Sequence, residues 1–305
     1  MNKVINMKKG LLISLGFALF LQSCKEQIPN GLNLNSLISK DTTYVTSVFE
    51  TPQQKKVLIE ELTGASCTNC PAGTKQLREF DSLNPGRIVI TALHSGFLTE
   101  PPAGALYDFR NPDADALKLF FNEGDPGKPS ATFDRIPATS GTSAGKYFIL
   151  RGQTGTDWTT TLPALLAKTT PVNIHLESAY NGTTGNVEVK IKLAFTADVT
   201  DQLAVSLFVL ENGRVDIQED KDLGEIEDYH FSHIFRKLIT PTSGELILDS
   251  LSTKVKGRVL EKTLVFQPST SGINGWNLDS CMIVGAVHRT GTSKEVLHVE
   301  EVKLK

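Results

Sequence analysis

The chain has 305 residues and a formal net charge of -3, and 40% of its residues are hydrophobic and 21% charged. These values are typical of a globular protein that is long enough for two domains of ordinary size. Lysine and arginine never form a block longer than two residues, which excludes a strongly basic surface. We therefore expect no nucleic-acid partner.

The first 24 residues have the pattern of an export signal. Lys3, Lys8 and Lys9 precede an apolar run from Leu11 to Leu21. At about 11 residues this run is too short to span a bilayer, but it has the length of a signal-peptide core. Export places the protein in a compartment where disulfides persist.

The signal ends in a serine followed by Cys24, which resembles the lipobox of bacterial lipoproteins. The resemblance implies that Cys24 is acylated and becomes the mature N-terminus, so the protein would reach the membrane through a lipid anchor. The alternative is an ordinary secretory signal in which this cysteine has no role. Residues 25–52 are rich in Asn, Ser and Thr and predict a flexible tether.

A Cys-x-x-Cys motif stands between a predicted strand and a predicted helix. Val57–Ile59 form an apolar run typical of a buried strand, and Thr63–Ser66 predict a turn. Cys67 and Cys70 follow with two residues between them. Pro71 comes next, and proline is tolerated there only in the first turn of a helix. The sequence therefore predicts a dithiol at a helix N-terminus.

A helix N-terminus carries unpaired N–H groups and partial positive charge, so it favours a thiolate over a thiol. We expect Cys67, the first of the pair, to lie nearest the solvent and to act as the nucleophile. Cys70, inside the first helical turn, would be the resolving thiol. Cys281 lies in an apolar run that predicts a buried strand, and we interpret it as an inert core thiol.

The order of strand, Cys-x-x-Cys and helix resembles a thioredoxin-like domain. This resemblance implies a role for Glu61, six residues before Cys67: in that superfamily a buried carboxylic residue at this spacing accepts the proton of the second cysteine, here Cys70. The aromatic residue that usually precedes the first cysteine is replaced by Ser66, which affects expected substrate contacts more than redox chemistry.

The resemblance also implies a cis-proline at the start of the strand beside the dithiol, where it would orient the substrate. Pro129 directly precedes the predicted strand Ser130–Phe133 and matches this position, whereas Pro126 is followed by a glycine and no strand. Trp158–Lys168 predict the helix that closes this domain. We assign the thioredoxin-like domain to residues 53–170.

Residues 171–305 have a different pattern. Short segments of alternating polar and apolar residues, such as Val187–Phe195, are separated by turn signals at Asn181-Gly182 and Asn212-Gly213. This pattern predicts an antiparallel β-sandwich that is Ig-like. The acidic segment Asp216–Asp228 predicts a solvated loop. The predicted fold class is thus an α/β thioredoxin-like domain followed by an all-β Ig-like sandwich.

The order of these features along the chain resembles that of a known protein family. The lipoprotein signal, the Cys-x-x-Cys half, the segment Val209–Gly213 (VLENG) and the segment His233–Arg236 (HIFR) together resemble the Omp-28 family of outer-membrane lipoproteins. The resemblance implies an outer-membrane location through a lipid anchor, on either the periplasmic or the surface face.

Three functions are compatible with these observations. The leading hypothesis is an extracytoplasmic thiol-disulfide oxidoreductase that acts on protein thiols or disulfides and needs no cofactor. The alternative is a binding or adhesion lipoprotein in which Cys67 and Cys70 form a static disulfide. A minor alternative is a copper-binding protein that uses these cysteines and His94, because soft thiolates select Cu(I). We assign no metal site in the leading hypothesis, and the sequence makes no prediction of oligomeric state.

Overall fold

The computed structural model describes residues 40–305, and β-strands dominate that part of the chain. The strands are β1 Lys40–Val45, β2 Val57–Thr63, β3 Ile88–His94, β4 Ser130–Phe133, β5 Ile149–Leu150, β6 Val172–Tyr180, β7 Val187–Phe195, β8 Leu203–Glu211, β9 Arg214–Asp220, β10 Gly224–Phe231, β11 Ile234–Leu238, β12 Glu245–Ile247, β13 Arg258–Phe266, β14 Cys281–Arg289 and β15 Val296–Lys303.

Three α-helices occur among the described residues: α1 Cys70–Leu83, α2 Pro112–Phe120 and α3 Trp158–Leu166. Their starts follow local sequence rules. Pro71 lies in the first turn of α1, and the Asn111 side chain accepts a hydrogen bond from the Ala114 N–H at the start of α2. Asp157 forms a capping box with Thr160 at the start of α3. The predicted mixture of many strands and few helices is confirmed.

One large sheet runs through both halves of the chain. Its strand order is β15-β14-β8-β11-β3-β2-β4-β5, with β12 also paired to β8. Every residue of β2 and β3 is buried, and the two strands pair in parallel. Parallel strands that are buried along their whole length are covered on both faces of the sheet. Helices α1 and α3 pack on one face of β2, and α2 packs on the other.

A second sheet, of order β1-β13-β7-β6, packs on the β8, β14 and β15 part of the large sheet. Inward residues of both sheets, including Val189, Ile191, Leu207 and Ile283, form this core. The remaining strands, β9 and β10, pair only with each other and form a hairpin. We call it the β9–β10 hairpin.

The predicted boundary between residues 170 and 171 falls between α3 and β6, where helix-containing sequence gives way to strands. Strands from both sides of it nevertheless share the large sheet. Ile234 of β11 is paired in parallel with Ala92 of β3, and the Ala92 N–H donates to the His233 carbonyl at 2.8 Å. Local periodicity cannot reveal this pairing, because the partners lie far apart in the chain.

Part of the predicted tether has regular structure. Residues 40–45, which the sequence analysis assigns to the tether at 25–52, form β1 and pair antiparallel with β13. The tether is polar on average, but this segment contains Thr42, Thr43, Tyr44 and Val45, which are residue types with high β-propensity. The signal peptide and Cys24 lie outside the described residues. Within residues 40–305, no helix has the length and apolar character needed to cross a membrane.

Candidate functional site

Cys67 and Cys70 form a disulfide at the junction of β2 and α1, with their Cα atoms 5.3 Å apart. The connection is tight: the Cys67 N–H donates to the Gly64 carbonyl at 3.1 Å, and the Cys70 N–H donates to the Cys67 carbonyl at 3.0 Å. Cys281 is a free buried thiol, and burial raises its pKa to about 12. The prediction that Cys281 is a buried core thiol is therefore confirmed.

Both cysteines of the disulfide are only 1% exposed. The expectation that Cys67 lies nearest the solvent is therefore wrong. The β9–β10 hairpin covers the motif: the Glu219 N–H donates to the Ala65 carbonyl at 2.9 Å, and the Lys221 N–H donates to the Thr68 carbonyl at 3.0 Å. The acidic segment Asp216–Asp228, for which the sequence predicts a solvated loop, forms most of this hairpin. Alternate residues in β9 are buried and face the motif.

Glu61 is fully buried beneath the start of α1. The Thr74 hydroxyl lies 3.2 and 3.3 Å from its two carboxyl oxygens. A Cβ atom added at Gly73, three residues after Cys70, would lie 3.1 Å from Glu61 Oε1. Desolvation raises the pKa of Glu61 to about 8, although the Thr74 hydrogen bond and the charge of Arg78 act in the opposite direction.

Glu60, the preceding residue, is buried on the opposite face of β2. Arg135 contacts its carboxylate through two nitrogens, with Nη2 at 2.7 Å from Oε1 and Nε at 3.0 Å from Oε2. The Thr132 hydroxyl donates to Oε2 at 2.9 Å. The two adjacent glutamates therefore differ in their partners: Glu60 is ion-paired, and Glu61 has a neutral hydroxyl donor.

The Lys128–Pro129 peptide bond is cis, as predicted, and Pro129 lies directly before β4. A Cβ atom at Gly73 would lie 2.7 Å from Pro129 Cβ, so this proline packs against the first turns of α1. Its role in orienting a substrate stays a prediction. The Lys128 ammonium donates to the carbonyls of Ser95, at 2.7 Å, and Phe97. Burial lowers the pKa of Lys128 to about 8.

His94, the ligand in the copper alternative, is buried among aromatic rings at the end of β3. Its ring centroid lies 5.1 Å from that of Phe109 and 6.0 Å from that of Phe231. Burial lowers its pKa to about 3, so the ring is neutral at neutral pH. No group of three or more His, Cys, Asp or Glu side chains within residues 40–305 is arranged to hold a metal ion. The copper alternative thus has no structural support in this range.

Two residues that shape the site were missed in the sequence. Gln218, on β9, reaches the Cys-x-x-Cys turn from about 150 residues further along the chain, and Arg135 neutralises Glu60. Arg135 lies two residues after the predicted strand Ser130–Phe133. This position next to a strand could have indicated that Arg135 pairs with a carboxylate of a neighbouring strand. Gln218 carried no such signal, because glutamine within an acidic segment is typical of solvated loops.

The fold and the site define a mostly β protein with a disulfide at the start of a helix and a buried carboxyl group against the same helix. The family model described as Outer membrane protein Omp28 matches residues 124–305, more than half of the chain. The chain belongs to this family, and the outer-membrane location predicted from the sequence is confirmed. The matched range contains VLENG, HIFR and Pro129, but Glu61, Cys67 and Cys70 lie before it.

Among solved structures, the chain is similar to HBP35 of Porphyromonas gingivalis, with a TM-score of 0.60 and 14% identity. The similarity covers 82% of this chain and 76% of that one, and it shows a shared fold. A domain of the outer membrane lipoprotein Omp28 from the same organism aligns at 19% identity over 45% of this chain and 89% of that one. Its TM-score of 0.29 is too low to define a shared fold. No curated protein matches the sequence.

Proposed function

We propose that the protein is a lipid-anchored, extracytoplasmic thiol-disulfide oxidoreductase. The observation that supports the proposal is the fully buried Glu61, which lies against Gly73 and Thr74 of the helix that begins at Cys70 and whose pKa of about 8 allows proton exchange near neutral pH. Burial of a carboxyl group without a cationic partner destabilises a fold. Groups whose pKa is shifted in this way are found most often at functional sites. The proposal includes a thioredoxin-like arrangement of residues 53–170, supported by the order of β2, disulfide and α1, and an Ig-like sandwich at 171–305.

In the direction that oxidises a partner, a partner thiolate attacks Sγ of Cys67 and the bond to Cys70 breaks. The Cys70 sulfur leaves with the electron pair and takes a proton from Glu61. A second partner thiolate then attacks its own mixed-disulfide sulfur and displaces Cys67 as a thiolate. The partner ends as a disulfide, and the two cysteines end reduced. In the reverse direction Glu61 accepts the proton of Cys70 so that this thiolate can resolve the mixed disulfide.

The pKa of Glu61 suits both directions. At about 8 it leaves roughly a tenth of the carboxyl groups ionised at pH 7. The protonated form supplies the proton when Cys70 leaves, and the ionised form receives it when Cys70 attacks. We assign Pro129 the role of orienting the partner beside the disulfide, which rests on the resemblance to thioredoxin-like proteins.

Replacing the resolving thiol tests the proposal. In Cys70→Ser, Cys67 should remain joined to partner proteins, because no second thiolate releases them. Discrete bands of higher mass should appear on non-reducing gels and disappear with reductant. Cys67→Ser, the matched control, should give few such bands. If the two variants behave alike or neither captures a partner, the oxidoreductase proposal fails.

One observation favours a second candidate, a binding lipoprotein with a static disulfide: both cysteines are 1% exposed. The reduction potential distinguishes the two functions. An exchangeable pair reaches equilibrium with glutathione buffers, whereas a static structural disulfide remains oxidised throughout their range. A Cys67–Cys70 pair that stays fully oxidised would favour the binding function.

The lipid anchor has its own test. Cys24→Ala should abolish acylation and release soluble protein, because one cysteine carries the whole attachment. Labelling with a radioactive fatty acid, followed by separation of membrane and soluble fractions, measures both effects. Normal labelling and membrane recovery of the variant would exclude Cys24 as the acylation site.

A further inference from the structure

The β9–β10 hairpin is fastened directly onto the disulfide-containing turn. The Gln218 side chain is 2% exposed, and its Nε2 lies 3.2 Å from the carbonyl oxygens of both Gly64 and Cys67 and 2.9 Å from that of Glu219. Together with the main-chain bonds to Ala65 and Thr68, these contacts lie on both sides of Cys67. The hairpin is therefore bonded to the backbone on both sides of Cys67, which is 1% exposed.

Further contacts hold the hairpin in place, and at its end Phe231 packs against the rings of Phe109 and His94. The Asp216 carboxylate accepts hydrogen bonds from the backbone N–H groups of Leu106, at 3.0 Å, and Tyr107, at 2.7 Å. Arg78 of α1 donates through Nη2 to the His230 carbonyl at 2.6 Å. The hairpin is thus tied to the turn, to the segment before α2 and to α1.

The same hairpin stands outside the two larger sheets. In the described part of the chain, β9 and β10 pair with each other and with no other strand. Two-stranded hairpins are marginally stable alone, so docking contacts decide the position of this one. Both ends of the hairpin have backbone in the left-handed region, with φ of 76° at Gly213 and 57° at His233. These positions mark the two ends of the hairpin, where the Gly213 N–H donates to the Phe231 carbonyl at 3.0 Å.

We infer that the β9–β10 hairpin is an autoinhibitory cover over the disulfide, held by Gln218, and that it must lift before a thiolate can reach Sγ of Cys67. Thiol–disulfide exchange depends on access to the attacked sulfur, and access is closed in the docked state. The rate of exchange is then proportional to the fraction of molecules in which the hairpin is lifted. As a regulation of exchange, this inference rests on the proposed function, but the covering itself is measurable without a physiological partner.

Dithiothreitol provides the test. One of its thiolates attacks Sγ of Cys67 and breaks the bond to Cys70, and its second thiolate then releases Cys67 as the cyclic dithiothreitol disulfide forms. The full chain is quenched with a maleimide at intervals, and mass spectrometry counts the free thiols. In Gln218→Ala, reduction should be about tenfold faster than in wild type, equivalent to about 1.4 kcal/mol of hairpin docking. Glu227→Gln, exposed on β10 of the same hairpin, is the matched control and should react at the wild-type rate.

Asp216→Asn loosens a different contact and should also speed reduction, which keeps the test decisive if Gln218→Ala does not fold. Hydrogen exchange supplies an independent readout: the amides of Glu219 and Lys221 should lose protection in Gln218→Ala, while those of β8 keep theirs. Equal reduction rates in wild type and both loosened variants would overturn the inference. So would wild-type reduction as fast as that of the urea-unfolded protein.

The two proposals fail in distinguishable ways. Dithiothreitol replaces the cellular partner, so the hairpin measurement is unaffected if Cys70→Ser captures no protein. That result would remove the oxidoreductase proposal and leave a covered structural disulfide. Equal rates in the hairpin variants, together with capture by Cys70→Ser, would leave the enzyme proposal and remove the cover.

Discussion

The two faces of β2 each bury one glutamate, and the two glutamates have different partners. On the face covered by α2, Glu60 is held by Arg135 and by the Thr132 hydroxyl. On the face covered by α1 and α3, Glu61 accepts a hydrogen bond from the Thr74 hydroxyl, and desolvation raises its pKa to about 8. Both carboxyl groups are fully buried, so burial alone does not separate them.

The difference lies in the partner available to each carboxyl group. A buried ion pair offsets desolvation, which makes Glu60 a structural element of the sheet. A neutral hydroxyl group stabilises an ionised carboxyl group far less than a guanidinium group does. Glu61 therefore gains and loses its proton near neutral pH. The side of the sheet that contains the disulfide is therefore the side with proton-transfer capacity.

The largest effect should come from breaking the ion pair. Glu60→Gln leaves the Arg135 guanidinium buried without a counter-charge, and we expect the free energy of unfolding to fall by about 3–5 kcal/mol. Urea denaturation at pH 7 measures this loss. Glu61→Gln, one position along the same strand, is the matched control and should not destabilise the fold. A loss below about 1 kcal/mol for Glu60→Gln would contradict the structural role.

The next effect should have the opposite sign. The folded-state pKa of Glu61, about 8, lies above its ordinary value of 4.5, so folding favours the protonated form. That contribution is fully present below about pH 4.5, decreases as pH rises toward 8 and is lost above it. At about 1.4 kcal/mol per pKa unit, the upper limit is about 5 kcal/mol. Glu61→Gln should thus be about 2–4 kcal/mol more stable than wild type at pH 9.

Denaturation curves at several pH values from 4 to 9 measure this difference. The variant should lose the decrease in stability that the wild type shows between pH 4.5 and 8, because glutamine does not titrate. Equal pH profiles for the two proteins would show that Glu61 does not titrate in that window.

The smallest effect should come from the hydroxyl that contacts Glu61. Thr74→Val removes a donor that favours the ionised carboxyl group, so the pKa of Glu61 should rise further. We expect about 1 kcal/mol lower stability at pH 9 and a decrease that continues to higher pH. In a Glu61→Gln background the same substitution should leave the pH profile flat. A downward shift of the titration in Thr74→Val would contradict the assignment.

Much of the site could be predicted because its determinants are local. Pro71 directly after Cys70 predicts a helix start there, and α1 begins at Cys70. The resemblance to thioredoxin-like proteins placed Pro129 directly before a strand, and β4 begins at Ser130. Such signals act over a few residues, where propensity and chain geometry decide the outcome.

The pairing of the two glutamates could not be predicted in the same way. Adjacent residues on a strand point to opposite faces, so one of Glu60 and Glu61 had to face α1. The resemblance to thioredoxin-like proteins favoured Glu61. That both would be buried, and that Arg135 would reach only one, depends on how β4 and the following segment pack against β2. A residue 75 positions away in the chain thus decides which of the two carboxyl groups is ion-paired.

The exposure of the disulfide depended still more on tertiary structure. The sequence by itself determined a dithiol at a helix N-terminus, a carboxyl group six residues before it and two differently patterned halves. Only the tertiary structure placed Gln218 and the β9–β10 hairpin over Cys67, and joined both halves in one sheet through β3 and β11. Contacts between distant segments depend on the packing of the whole chain, and no local pattern of residues encodes them.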